Sequence, residues 1–309
     1  MNYAFTNGKI LDGSRDMQVQ TGRCILVKNG KIHDIVSDTT YLSGYTKIDL
    51  KGHYILPGLI NMHVHLAGSG KPQKKQRDNE KLVNTIMSTS LTRAIAYRMV
   101  AGFAKDELLS GVTTIRTVGG PGDFDTRLRD EIKAGTKIGP RILASNQGIS
   151  VPGELKMPPE MVRAVCEKAH ADGYLVAAHV ESPEGVRVAL ENGVDSIEHG
   201  AKLTDEMVKL FKERGAFLCT TISPALPYAL FDRSITNTTK RSAELTDIDS
   251  ITGSIEKGKA ADLIVTAQNP LKDLKALRNL EMVISGGRFI EHPKIKKRKQ
   301  VEAELDKFL

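Results

Sequence analysis

Tryptophan is absent from the 309 residues of this chain, and aromatic side chains make up only 5% of it. Platforms that stack single-stranded nucleic acid are built from such rings, so their scarcity argues against a nucleic-acid partner. Cysteine is nearly as rare. Cys24, Cys166 and Cys219 are odd in number, far apart and in no metal-type spacing, which argues for a reducing compartment without structural disulfides. No run approaches the ~18 apolar residues of a membrane span, and Met1 to Gly8 show no charged stretch leading into an apolar core. We therefore expect a cytoplasmic protein with no membrane partner. A phosphate-binding loop is missing too: Gly68-Ser69-Gly70-Lys71 is too short for one, and Gly119-Gly120-Pro121-Gly122 reads first as a tight turn.

What the chain has is an ordinary globular balance, 40% hydrophobic and 26% charged, with a formal charge of +7. Much of that excess lies in Lys294-Ile295-Lys296-Lys297-Arg298-Lys299, which reads as a solvated end without the interleaved aromatics of a nucleic-acid surface. Its most informative feature is His63-Val64-His65, at the end of an apolar run from Tyr54 to Met62. In a strand, residues two apart share a face, so this spacing aims two imidazoles at one point. His179 ends a second apolar run and His199 a third. The C-terminal ends of parallel barrel strands converge on one face. Four neutral imidazoles meeting there form a donor set for zinc or a similar divalent ion.

The ends and the middle of the chain differ in style. Asn7-Gly8 and Asn29-Gly30 carry the type I′ hairpin signal. Strands are expected at Cys24–Val27, Ile32–Val36, Ala261–Val265 and Met282–Ile290, the last with a Gly286-Gly287 turn. These predict one β-sandwich built from residues 1–55 and 250–292, with Ile25, Val27, Leu263 and Val265 in a shared core. Residues 56–249 alternate between strand and helix, the pattern of a parallel sheet with right-handed crossovers. Helices are expected over 82–110, 124–134, 158–171, 184–191 and 205–214. Strands are expected at Val112–Val118, Arg141–Ala144, Tyr174–His179, Val194–His199 and Ala216–Thr221. With the His63 strand that makes six. Residues 293–309 form a basic tail. An open doubly wound sheet is the alternative architecture, but its glycine-rich fingerprint is lacking.

These motifs resemble the amidohydrolase superfamily, in its imidazolonepropionase-like and Xaa-Pro dipeptidase-like (prolidase-like) branch. Leu56 to His65 is similar to the family's first barrel strand, and Gly111 to Arg116 to its second. Ala178-His179 and Ser196-Ile197-Glu198-His199-Gly200 are similar to the fifth and sixth, and Gly253 to Leu263 to the link back into the sandwich. The resemblance implies an α/β fold, a TIM-type (β/α)8 metal-dependent hydrolase barrel with a small β-sandwich domain. It implies that His63 and His65 bind a first metal, while His179 and His199 bind a second or contact substrate. One or two divalent ions are expected, zinc foremost. The implied reaction is metal-assisted hydrolysis of an amide or peptide-type C–N bond, on a small-molecule or dipeptide-type substrate, by a homo-oligomer. Tyr228, after the last of the six strands, is a candidate hydrogen-bond donor to substrate.

The chain departs from the family twice. No strand carrying the bridging lysine lies between Leu143 and Pro158. Nothing between Thr221 and Gly253 matches the strand that carries the general-base aspartate, so the catalytic base is unassigned. Pro57 to Leu245 is under 200 residues, against ~250 for a full barrel. Two strands are therefore missing. Losing them would open unpaired backbone in a closed barrel, so breaks are expected within Gly148–Gly153 and Ile235–Arg241. If the chain is continuous there, a non-catalytic relative becomes the alternative reading.

Overall fold

The computed structural model describes residues 2–66, 79–146, 148–149, 157–221, 239–295 and 306. Tyr228, the Gly68–Lys71 loop, most of the joins at Gly148–Gly153 and Ile235–Arg241, and the tail from Lys296 to Lys299 lie outside the described residues. The chain forms two compact units, residues 1–146 with 229–309, and residues 147–228.

The first unit holds two sheets of mixed pairing. One orders Lys31–Ser37, Arg23–Lys28, Asn2–Thr6 and Thr46–Asp49 side by side. The other orders Arg288–Glu291, Leu280–Ser285, Leu263–Thr266, Tyr54–Pro57 and Lys9–Ile10. The first is built wholly from residues 2–49, and only the second joins strands from near the two ends of the chain. Phe5, Ile25 and Val27 of one sheet share a buried cluster with Ile55, Leu263, Val265 and Ile284 of the other. At about 25 cal/mol per Å² of apolar surface removed from water, such a cluster supplies the drive that closes one sheet on the other.

The two Asn-Gly pairs behave differently. Asn29 and Gly30 both have positive φ (52° and 75°) and join antiparallel strands, as the hairpin signal predicts. Asn7-Gly8 is not a hairpin. Only Asn7 has positive φ, and the chain passes there from one sheet to the other, Asn2–Thr6 pairing with Arg23–Lys28 and Lys9–Ile10 with Tyr54–Pro57. Gly8 is needed for space instead, since a Cβ on it would lie 2.4 Å from Leu50 Cδ1.

The same unit carries a parallel three-stranded sheet, Leu59–Val64, Val112–Thr117 and Arg141–Leu143, in that order. The helices Ser90–Leu109 and Phe124–Lys133 cover it through Tyr97, Val100, Ala104, Phe124 and Leu128, packed on Ile115 and Ile142. The single helix expected over 82–110 is two, Asn79–Met87 and Ser90–Leu109. Thr89 ends the first by capping the second, its hydroxyl accepting the Thr92 N–H at 3.1 Å. A buried carboxylate fastens the strand ends: Asp125 Oδ2 accepts Thr117 Oγ1 (2.6 Å), Asn146 N (2.9 Å) and Ser145 N (3.2 Å).

The second unit repeats the strand–helix pattern. Ala177–Val180, Ser196–His199 and Phe217–Cys219 form a parallel sheet in sequence order. The helices Pro159–Ala171, Pro183–Glu191 and Asp205–Arg214 pack Cys166, Val186, Leu190 and Phe211 around Ile197. Ser182 and Thr204 cap two of them, and Gly215 ends the last at φ 66°. The strand expected from Tyr174 begins only at Ala177; Tyr174 and Leu175 are exposed and unpaired by any ladder. The described residues thus contain six parallel strands of this kind, three in each unit, matching the count read from the sequence. No described helix is long and apolar enough to cross a membrane.

Candidate metal centre

His63 lies one residue before the end of its strand and His65 one residue past it. Their Nε2 atoms face each other at 3.2 Å. The rings meet edge to face, with centroids 5.0 Å apart and planes at 74°. His65 Nδ1 lies 3.1 Å from the carbonyl oxygen of Gly119. A carbonyl only accepts, so Nδ1 carries the proton, and in neutral His65 the lone pair sits on Nε2, toward His63. Outer hydrogen bonds of this kind fix the tautomer of histidines that ligate metals. Gly119 presents its carbonyl from a φ of 122°, a conformation suited to glycine.

The second unit holds a similar pair. His179 Nδ1 and His199 Nε2 are 2.8 Å apart, and His199 Nδ1 contacts Thr221 Oγ1 at 2.5 Å. His199 has a φ of 71°, so the strand ends on a left-handed residue followed by Gly200 at 79°. Lateral pairing aligns His179 with Glu198, and Glu198 with Cys219. Glu198 is fully buried and bonded to Ser196 Oγ, and one of its carboxylate oxygens lies within 4.8 Å of Cys219 Sγ.

Each pair fits a divalent ion. Two nitrogens bound at roughly 2.0–2.1 Å lie about 3.3 Å apart on a tetrahedral ion and about 2.9 Å apart on an octahedral one. The observed separations of 3.2 and 2.8 Å fall at these edges. Of the predicted site residues, the structure thus joins His63 to His65 and His179 to His199; Tyr228 falls outside the described residues. Reading the sequence missed Glu198 and Cys219. The available signal was positional: each lies within the last three residues of an expected strand, near the end where parallel strands carry their chemistry.

Residues 54–156 match the model of the amidohydrolase family. The matched stretch is amidohydrolase-family sequence. It contains His63 and His65. A dihydroorotase of Trichlorobacter lovleyi is 26% identical over 216 residues, covering 65% of this chain and 48% of that protein. An imidazolonepropionase of Vibrio vulnificus is 30% identical over 150 residues, covering 43% and 36%. The chain spans about half the length, or less, of these curated relatives. Among solved structures, a candidate prolidase from Bifidobacterium longum superposes with a TM-score of 0.81 at 25% identity, over 99% of this chain and 98% of that one. A Xaa-Pro dipeptidase with methionine bound in its active site gives 0.75 at 23%, over 94% and 100%. These likenesses bear out the amidohydrolase resemblance, with its prolidase-like and imidazolonepropionase-like branch. The fold is α/β of the TIM-barrel type.

Proposed function

We propose that this amidohydrolase-family chain is a metal-dependent hydrolase of amide or peptide-type C–N bonds, prolidase- or carboxypeptidase-like, acting on a dipeptide-type or other small substrate. The observation that carries the reading is the pair of histidine couples, each with two ring nitrogens at metal-edge spacing. His63, His65, His179 and His199 would hold one or two divalent ions, zinc foremost. Such an ion, when bound, would supply Lewis acidity for a scissile carbonyl and for an attacking water.

The chain's own residues prepare that centre. Gly119 O holds the His65 tautomer, and Thr221 Oγ1 orients His199. Tyr228 is proposed as a substrate hydrogen-bond donor. Cytoplasmic location, a homo-oligomeric state, and the boundaries 1–55 with 250–292 for the sandwich, 56–249 for the barrel and 293–309 for the tail belong to the same proposal. The buried cluster joining Phe5, Ile25 and Ile55 to Leu263 and Val265 supports the composite sandwich.

A second reading has its own support. No residue between Thr221 and Gly253 matches the family's general-base aspartate, and none between Leu143 and Pro158 its bridging lysine. Positioned acid–base groups are worth ~10²–10⁴-fold in rate. A chain without them is an amidohydrolase-like protein that keeps the metal and lacks turnover. Incubating the zinc-loaded protein with a panel of Xaa-Pro, Xaa-Arg and N-acyl amino-acid substrates decides between the two. Release of free amino acid, abolished by a chelator and restored by zinc, supports the hydrolase. Full metal loading with no release on any substrate supports the non-catalytic relative.

A further inference from the structure

Plain alternation along a strand does not explain how His63 and His65 come to face each other. In a regular strand Ile60, Met62, Val64 and Leu66 would line one face. They do not. Ile60 and Met62 pack in a cluster with Leu143, Ala243 and Ile248. Val64 and Leu66 pack in the cluster on the opposite face, with Ile115, Ile142 and the two covering helices. The apolar residues therefore change sides between Met62 and Val64.

The pairing register shows the cause. Asn61 is opposite Ile115 and Val64 is opposite Thr117, so Met62 and His63 together oppose the single residue Arg116. Two residues against one is a β-bulge, which re-aims the side chains that follow it. A bulge also takes backbone groups out of the ladder, and buried ones must find partners. Side chains supply them here. His63 N–H donates to Asn61 Oδ1 at 3.2 Å, and Arg116 Nε donates to the Met62 carbonyl oxygen at 2.7 Å. Both side chains belong to residues that border the bulge. Asn61 also neighbours Glu107 of the Ser90–Leu109 helix, with which it hydrogen-bonds, so the residue just before the bulge faces that helix. Without the extra residue, His63 and His65 would follow Asn61 onto the helix-packed face.

We infer that Asn61 and Arg116 are positioning residues that staple this bulge, and that the bulge turns the His63–His65 pair away from the covering helices and brings the two Nε2 atoms together. The inference rests on the proposed metal role of the two histidines for its consequence, and on the strand register alone for its geometry.

The test uses the full chain with Asn61→Ala and Arg116→Gln, beside the conservative Asn61→Asp and Arg116→Lys. Zinc affinity is measured by competition with a chromophoric chelator, and His63 amide protection by hydrogen exchange in metal-free protein. Asn61→Ala and Arg116→Gln are expected to weaken zinc binding by about 10–100-fold, the usual effect of losing an outer-shell partner. Asn61→Ala should also speed exchange at the His63 amide, while Asn61→Asp, which keeps the acceptor, stays near wild type. Asp262→Asn, a destabilising change remote from the bulge, should leave zinc affinity unchanged. Wild-type zinc affinity in both Asn61→Ala and Arg116→Gln would overturn the inference, as would an equal loss in Asp262→Asn. If the wild-type protein binds no zinc, the metal reading fails separately, and His63 amide protection then decides: faster exchange in Asn61→Ala upholds the staple, unchanged exchange removes it.

Discussion

Arg141 Nη2 donates to Asp262 Oδ2 at 3.0 Å, tying the last strand of the first parallel sheet to the sandwich strand that begins at Leu263. The Asp262 side chain is 1% exposed, and its other oxygen accepts Ser285 Oγ at 3.1 Å. Its backbone carbonyl takes the Gly58 N–H at 2.8 Å, just before the His63 strand. Replacing this buried carboxylate weakens a charge-assisted bond and unsettles a half-buried guanidinium. Asp262→Asn should cost about 1.5–3 kcal/mol, read as a lower urea midpoint with an unchanged slope.

Asp125 makes a similar tie at the opposite ends of the strands. Its side chain takes four hydrogen bonds, from Thr117, Thr126, Ser145 and Asn146. Asp125→Ala takes this acceptor from three backbone N–H groups, of which Ser145 N keeps Thr117 Oγ1, at about 1–3 kcal/mol for a buried donor left unsatisfied. Hydrogen exchange should quicken at Ser145 and Asn146 well beyond any change in the sandwich. Uniform acceleration across the unit would show that the residue stabilises only globally.

Glu107 gives a pH signature. Burial raises its carboxyl above the ordinary glutamate value, partly offset by the hydrogen bond with Asn61. An acid with a raised folded pKa holds its proton more tightly when folded, so its contribution falls as pH rises from the unfolded value through the folded one. Above that window the loss is complete. Glu107→Gln, neutral throughout, should unfold at a higher temperature than wild type near neutral pH. The gap should close as pH falls toward about 4, the unperturbed glutamate range. A gap of constant size from acid to neutral pH would contradict the linkage.

Much of this architecture was legible in the sequence because it rests on local patterns. Asn29-Gly30 needs two left-handed residues, and the turn follows. The helix Asp205–Arg214 has Thr204 before it and Gly215 after it, and both boundaries match the expectation. Asn7-Gly8 misled because its glycine answers to Leu50, a contact 42 residues away that no local pattern carries. The His63–His65 pair was legible, but its geometry was not. The bulge depends on how two strands align, and Arg116 enters it from 54 residues along the chain. Glu198 and Cys219 were hidden likewise, since their proximity arises from lateral strand pairing.

Gly119 connects backbone conformation to the centre. A Cβ there would lie 3.8 Å from the His65 ring, an ordinary contact, so Gly119→Ala fails on backbone grounds alone. At a φ of 122° an alanine is strained by about 1–2 kcal/mol. Relief would turn the carbonyl away from His65 Nδ1. Zinc affinity should drop roughly tenfold or more, with the apo protein still folded by circular dichroism. Unchanged affinity would mean that the Gly119 carbonyl does not hold the ring.

The most direct test of the metal assignment is elemental analysis of the purified full chain by mass spectrometry, alongside His63→Ala and His179→Ala. The proposed four-histidine assignment predicts one or two equivalents of a divalent metal in the wild-type protein, and a reduced complement in both variants, because each removes a proposed ligand. Wild-type protein that stays metal-free after incubation with zinc, or His179→Ala protein that keeps the full wild-type complement, would contradict it.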